Sequence, residues 1–174
     1  MRKNVLVFGI ISGLIAAPTM LLSIETGYGS LWVGYSSMIV AFSLIFVGIK
    51  NLRDKFNDGH ISFGKALKTG LIITLIGSTI YVAAWMVDYY GFHPDYMQKY
   101  TDSVINQAKA SGASIAEINR QKAQMASYAE MYNNPVMLAM LTYAEILPVG
   151  IVMALAAALI LKRKPENRQA AAVA

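Results

Sequence analysis

The stretch PVMLAMLTYAEILPVGIVMALAAALILKRK, residues 135–164, decides the fold of this chain. Its apolar run from about 136 to 161 contains one charged residue, Glu145, and is followed by three basic residues, Lys162, Arg163 and Lys164. A helix needs about 20 mostly apolar residues, at about 1.5 Å each, to cross about 30 Å of hydrocarbon. The stretch therefore predicts a membrane-spanning helix at about 136–161.

Three further apolar segments of similar length predict three more spans, at about 5–24, 31–49 and 67–87. The first carries no charged residue between Lys3 and Glu25. Trp32 and Trp85 lie near span ends, where aromatic side chains favour the boundary between lipid and water. We therefore predict an all-α fold, a four-helix transmembrane bundle that forms a single membrane domain over residues 1–174.

The composition supports a membrane protein over a soluble one. Of the 174 residues, 56% are hydrophobic and only 14% are charged, whereas a soluble domain has about 25% charged residues. So little charge cannot coat the surface of a soluble domain of this size. The chain contains no cysteine, which excludes disulfides, thiolate nucleophiles and cysteine-ligated metals.

The distribution of lysine and arginine predicts the orientation of the spans. Eleven of the 15 basic residues precede the first span, lie between the second and third or in the first turn of the third, or follow the fourth. Cytoplasmic segments carry the excess of Lys and Arg, so we expect both termini in the cytoplasm and an outer turn at 25–30. The net charge of +5 is scattered over span ends, a pattern that does not indicate nucleic-acid binding.

The segment between the third and fourth spans predicts an extramembrane helical hairpin at about 94–133. Its two helices are expected at about 95–110 and 115–133. The first ends near Gly112, because glycine readily takes the left-handed conformation that closes a helix. The second begins at Ser114, which Glu117 follows three residues later in a capping-box pattern. Its tyrosines suit packing or interfacial anchoring better than ligand binding.

Glu145 is the one acid well inside a predicted span. A charge at the centre of a bilayer costs about 2.5–3.5 kcal/mol on insertion scales, and such residues usually face the interior of a bundle. Counting residues from the outer surface places four hydroxyl side chains near its depth: Ser78, Thr79, Ser37 and Ser43. We therefore predict a hydrogen-bonded polar cluster of these five residues. The cluster either joins the helices through hydrogen bonds of a neutral acid or acts as a proton or cation site.

Two other features are local. Gly9 and Gly13 form a G-x-x-x-G motif, which allows close approach of two membrane helices, within one chain or between two chains. The loop between the second and third spans contains Asp54, Asp58 and His60, but their spacing matches no EF-hand or zinc pattern. We predict a solvated loop near lipid headgroups here, whose basic residues can contact anionic lipid.

Several stretches are distinctive as a set. They are GYSSMIVAFSLIFVGIK at 34–50, Arg53-Asp54, ISFGKA at 61–66, KASGA at 109–113 and EILPVG at 145–150. Together they resemble the bacterial membrane family called domain of unknown function 4199, over nearly the whole chain. The resemblance implies a bacterial inner-membrane protein and supplies no reaction, cofactor or catalytic residue.

The sequence favours a non-enzymatic membrane protein that acts by interaction. It contains no H-E-x-x-H motif, Ser-His-Asp arrangement or Gly-rich phosphate loop, so we predict no catalytic or metal-binding residue and no cofactor. The expected partners are the lipid bilayer and another membrane protein or a second copy of the chain, and not nucleic acid. One alternative is a small oligomeric transporter or channel component that uses Glu145, and another is an intramembrane enzyme.

Overall fold

The computed structural model describes residues 2–25 and 31–164, and this part of the chain is helical. The helices are α1 (Arg2–Glu25), α2 (Leu31–Phe42), α3 (Leu44–Phe56), α4 (Phe63–Gly91), α5 (Tyr96–Ala110), α6 (Ile115–Tyr132) and α7 (Pro135–Leu161). The described residues form no β-strand, and one isolated backbone pairing joins Ile61 to Arg163. The predicted all-α class is confirmed. The predicted outer turn after Glu25, at 26–30, and the tail from residue 165 lie outside the described residues.

Three helical segments in the described part of the chain are long and apolar enough to cross a membrane: Gly34–Phe56, Phe63–Gly91 and Pro135–Leu161. They match the second, third and fourth predicted spans and indicate a multi-pass membrane protein. The predicted first span falls in α1, a helix of 24 residues. The described side chains of α1 include a shorter apolar segment, Lys3–Thr19.

Helices α2 and α3 are separated only by Ser43, so together they form one long segment. The Ser43 amide still bonds to the carbonyl of Ile39 at 2.9 Å, and the Phe46 amide bonds to the carbonyl of Ser43 at 3.0 Å. The helix continues to Phe56, beyond the predicted end of the apolar run near residue 49. A helix does not have to end where its apolar segment ends, because Asn51 and the charged residues after it can remain helical in water.

Helix α4 is the central element, and it packs against α1 on one side and α7 on the other. The G-x-x-x-G motif of α1 makes the first of these contacts. A β-carbon built on Gly9 would lie 2.7 Å from Cβ of Ile76, and one on Gly13 would lie 2.6 Å from Cβ of Ile80. The motif therefore serves a parallel contact within the chain, in which only glycine fits between the two helices.

The contact between α4 and α7 is antiparallel and also depends on small residues. A β-carbon on Gly70 would lie 2.8 Å from Cβ of Ala154. One turn further along α4, the Thr74 hydroxyl donates a buried hydrogen bond of 3.1 Å to the carbonyl of Gly150. A β-carbon on Gly150 would overlap the Thr74 side chain. Small residues thus bring the two backbones close enough for a side chain of one helix to bond to the main chain of the other.

The remaining core fills the space between α4, α7 and the α2–α3 segment. Its largest fully buried side chains are Met38, Phe42, Ile45, Ile49, Leu52, Ile73 and Ile146. Asn4 ties α1 to α3 through a buried hydrogen bond of 2.8 Å to the carbonyl of Gly48. Helices α3 and α7 end, and α4 begins, at one end of the bundle, at Phe56, Leu161 and Phe63. We call this the basic end.

Helices α5 and α6 lie between α4 and α7 in the chain and pack against each other. Their bounds match the two helices predicted for this segment. Gly112 has the expected positive φ, 76°, and the Ser114 side chain accepts a hydrogen bond from the Glu117 amide at 3.2 Å. Met125 of α6 is buried, whereas Ile115 is 79% exposed because it lies in the first turn, away from the helix contact.

Candidate functional site

The side chain of Glu145 is exposed on the surface of the helix bundle. The buried face of α7 is formed by residues spaced three or four apart: Leu138, Thr142, Ile146, Gly150, Ala154, Ala157 and Ala158. Glu145 immediately precedes Ile146 and is therefore rotated by about 100° from that position around the helix axis. Glu145 therefore does not belong to the buried face of α7, and the predicted inward orientation is not seen in the described residues.

Two of the predicted partners lie on α4. Ser78 is fully buried, and its hydroxyl oxygen has no hydrogen-bond partner among the described residues. Thr79 is exposed; its hydroxyl donates to the carbonyl of Leu75 at 2.8 Å and accepts from the Tyr143 hydroxyl at 2.9 Å. Tyr143, and not Glu145, therefore supplies the polar side-chain link from α7 to this part of α4.

The other two predicted partners bond to their own helix. The Ser37 hydroxyl donates to the carbonyl of Gly34 at 2.7 Å, and the Ser43 hydroxyl donates to the carbonyl of Val40 at 2.6 Å. Serine and threonine side chains in helices readily bond to the carbonyl three or four residues earlier. These local bonds satisfy the hydroxyls, so the predicted five-residue network around Glu145 is not formed in the described structure.

A cluster of aromatic rings joins the α5–α6 pair to α4 and α7 at the end of the bundle opposite the basic end. Trp85 and Tyr96 meet edge to face at 4.8 Å between ring centroids, and Tyr89 and Tyr132 meet at 5.5 Å. Leu138 of α7 is fully buried against the same cluster. Edge-to-face aromatic pairs contribute about 0.5–1.5 kcal/mol beyond the burial of their area. The α5–α6 pair is therefore fixed to the bundle by tertiary packing.

Polar contacts close the turn between α4 and α5. The amides of Phe92 and His93 donate to the carbonyl of Asp88 at 2.8 and 2.9 Å. Asp88 is buried, and its Oδ2 lies 2.9 Å from Nδ1 of His93. The Tyr90 hydroxyl donates to the carbonyl of Tyr132 at 3.2 Å. These contacts hold the start of α5 and the end of α6 on the same end of α4.

Glu145 lies within electrostatic range of the aromatic cluster. Burial raises the pKa of Tyr132 to about 12, and the negative charge of Glu145 acts in the same direction. Glu145 is an exposed acid on the side of the bundle, within electrostatic range of Tyr132. An acid in this position can donate a hydrogen bond to a group outside the described fold, or accept one from it.

The family described as "Protein of unknown function (DUF4199)" matches residues 7–163. The chain belongs to this family. The matched region contains Glu145, the aromatic cluster and the three candidate spans. Comparisons with curated proteins and with solved structures give no match. Membership of the DUF4199 family therefore identifies the chain without assigning it an activity.

Two hydrogen bonds that connect α4 to α7 in this DUF4199 protein were not predicted from the sequence. Tyr143 was not linked to Thr79, and Thr74 was not linked to Gly150. The repeated small residues of α7, Gly150 and Ala154, were a usable signal, since they have the same four-residue spacing as the G-x-x-x-G motif of α1. The bond from Tyr143 left no such signal, because nothing in the order of residues shows which way a tyrosine faces.

Proposed function

We propose that this DUF4199 protein is a four-span protein of the bacterial inner membrane that acts without catalysis, by associating with another membrane protein or a second copy of itself. The fourth span is α1. Its 24 residues measure about 36 Å at 1.5 Å each, enough for about 30 Å of hydrocarbon. Its parallel contact with α4, a candidate span, supports the same placement.

We further propose that both termini and the basic end face the cytoplasm, with α5 and α6 outside the membrane. The division of basic residues supports this orientation. So does the pairing of Ile61 with Arg163, which brings the loop before α4 and the segment after α7 together. Reporter fusions at Asn57 and Ser111 test the proposal: a periplasmic signal is expected at Ser111 only, and a periplasmic signal at Asn57 would overturn it.

The observation that carries the interaction function is the exposed position of Glu145. The residue lies nine positions after Val136 in a candidate span, where its side chain would face lipid in an isolated chain. Ionisable groups in this position are costly and almost always face a protein interior or a polar cavity. A partner helix that packs over Glu145 would remove it from lipid and supply hydrogen bonds.

The alternative of a transporter or channel component requires Glu145 to line a path through the helices. Its position on the outside of the bundle does not favour that role within one chain. An interaction through the side of α7 uses the same residue and requires no path. We therefore retain association as the proposed function.

The test compares complexes of the tagged full chain by native mass spectrometry in a mild detergent and in lipid nanodiscs. Glu145→Gln replaces the carboxyl group with a neutral amide of the same size that still forms hydrogen bonds, so it should preserve the complex. Glu145→Leu removes the hydrogen bonds but suits lipid, so it should weaken the complex about 3- to 20-fold, since such bonds contribute about 0.6–1.7 kcal/mol in membranes.

The matched control is Glu130→Gln, which changes an exposed acid of α6 outside the candidate spans. It should leave the complex unchanged. A wild-type chain that remains single under all of these conditions would disprove the proposed association. A complex that is equally stable with Leu at position 145 would show that Glu145 does not contribute to it.

A further inference from the structure

The basic end of the bundle contains a cavity of about 810 Å³. It lies where α3 ends at Phe56, α4 begins at Phe63 and α7 ends at Leu161. Four of its lining residues carry a positive charge: Lys65, Lys162, Arg163 and Lys164. Because three candidate spans end here, the cavity lies at the boundary between the apolar part of the helices and water.

Tertiary contacts join the two segments that border the cavity, the loop before α4 and the segment after α7. Ile61 and Arg163 exchange two backbone hydrogen bonds, from the Ile61 amide at 3.0 Å and from the Arg163 amide at 2.9 Å. Ile61 is 3% exposed, so the pairing is anchored in the core. The basic residues after α7 are therefore fixed beside the loop, and the sequence alone does not bring these two segments together.

The charges of the cavity are unbalanced. Asp58 is the one acid among the described residues that line it. Lys65 is held through its ammonium group by the side-chain oxygen of Asn57, a neutral partner that leaves the positive charge in place. The nearby Arg53 is paired with Asp54 at 2.6 Å and does not line the cavity. An excess of positive charge at this position attracts an anion.

The two helix ends at the cavity change its electrostatic potential in opposite directions. The N-terminus of α4, with Ser62 as its cap, borders the cavity and favours an anion, whereas the C-terminal carbonyls of α7 disfavour one. Arg53 donates to the carbonyl of Leu161 at 3.4 Å, which offsets part of the unfavourable end. The lysines and Arg163 therefore determine the sign of the field.

Two aromatic side chains add an apolar wall to the cavity. Phe56 is 60% exposed and Phe63 is 37% exposed, and both line it. A small inorganic anion gains no binding energy from contact with apolar side chains, whereas the acyl chains or glycerol backbone of a lipid can pack against them. We propose that the cavity binds a phosphate group, and that this phosphate belongs to the headgroup of an anionic phospholipid. The site is separate from Glu145 and does not depend on the proposed association.

The test measures lipid binding to the purified full chain by native mass spectrometry and by titration in detergent. The probes are phosphatidylglycerol, the zwitterionic phosphatidylcholine, and inorganic phosphate. Lys162→Gln with Lys164→Gln removes two positive charges from the cavity. At about 1 kcal/mol for each basic residue near a lipid surface, phosphatidylglycerol should bind about 10- to 30-fold more weakly.

The matched control is Lys55→Gln with Lys68→Gln, which removes two exposed basic residues close to the same end that do not line the cavity. It should weaken binding less than threefold. Equal losses in the two double variants would overturn the site, because they would show a diffuse attraction to surface charge. Equal binding of phosphatidylglycerol and phosphatidylcholine would overturn it too. Inorganic phosphate that binds as tightly as phosphatidylglycerol would keep the phosphate site and overturn its assignment to a lipid.

Discussion

Replacing Gly13 by alanine should separate α1 from α4. The new β-carbon would lie 2.6 Å from Cβ of Ile80, 2.9 Å from its Cγ2 and 3.0 Å from the carbonyl oxygen of Gly77. Non-bonded carbon atoms prefer about 3.5–4.0 Å. Rotation of the Ile80 side chain cannot relieve the clash, because Cβ of Ile80 is bonded directly to the main chain. The Gly77 oxygen is itself a main-chain atom.

The two helices must therefore move apart by about 1 Å near Gly13. A gap of about 0.5–1 Å forfeits about a quarter to a half of the dispersion energy of each atom pair along the contact. Overpacking of this kind costs about 1–3 kcal/mol. We expect a loss of stability of this size, measured as the free energy of unfolding in mixed micelles with increasing denaturing detergent and followed by far-UV circular dichroism.

The control is Gly34→Ala, since a β-carbon on Gly34 meets no atom within 4 Å. This variant should be as stable as the wild type or slightly more stable, because alanine favours a helix over glycine. The double variant of Gly9 and Gly13 should lose less than the sum of the single losses, since one separation relieves both clashes. A Gly13→Ala chain as stable as the Gly34→Ala chain would refute the packing argument.

Two more predictions concern hydrogen bonding and pH. Thr74→Val removes the buried hydrogen bond to the carbonyl of Gly150 and should lower the free energy of unfolding by about 0.6–1.7 kcal/mol. Thr74→Ser keeps a hydroxyl group and should retain most of this stabilisation. Equal losses in the two variants would contradict the contribution of the hydrogen bond. Because burial raises the pKa of Tyr132 to about 12 from the ordinary value of 10.0, the unfolded chain loses this proton first. The resulting stability is complete below about pH 10 and is lost as the pH rises through about 12, and Tyr132→Phe should remove this loss in thermal unfolding measured at several pH values. Identical profiles for Tyr132→Phe and the wild type would disprove it.

The candidate site shows where sequence reasoning reached its limit. Counting along the chain placed Glu145 and Thr79 at similar depth, and depth depends only on rise per residue. Which way each side chain faces depends on the helix that packs against it. In α7 the small residues Gly150 and Ala154 turn one face toward α4, and Glu145 is left on another. A one-residue difference along a helix changes direction by about 100°, which depth counting does not register.

The basic end gives a second case of the same limit. Lys162, Arg163 and Lys164 were interpreted from the sequence as a topological signal at the end of a span. Their position beside Lys65 follows from the pairing of Ile61 with Arg163, two residues that lie about 100 positions apart. A contact between such distant positions is set by how α4 and α7 pack, and it leaves no local pattern in either segment.

The sequence by itself determined the helical class, the positions of the apolar helices, the end of α5 at Gly112 and the start of α6 at Ser114. These properties are local: a length of apolar chain, a glycine with positive φ, and a serine before a first turn act over a few residues. The tertiary structure alone decided that Gly9 and Gly13 face α4 rather than a second chain, that Glu145 faces outward, and that the basic residues line one cavity. The physical reason is that these outcomes depend on the rotation and pairing of whole helices, which the packing of small residues sets over many turns.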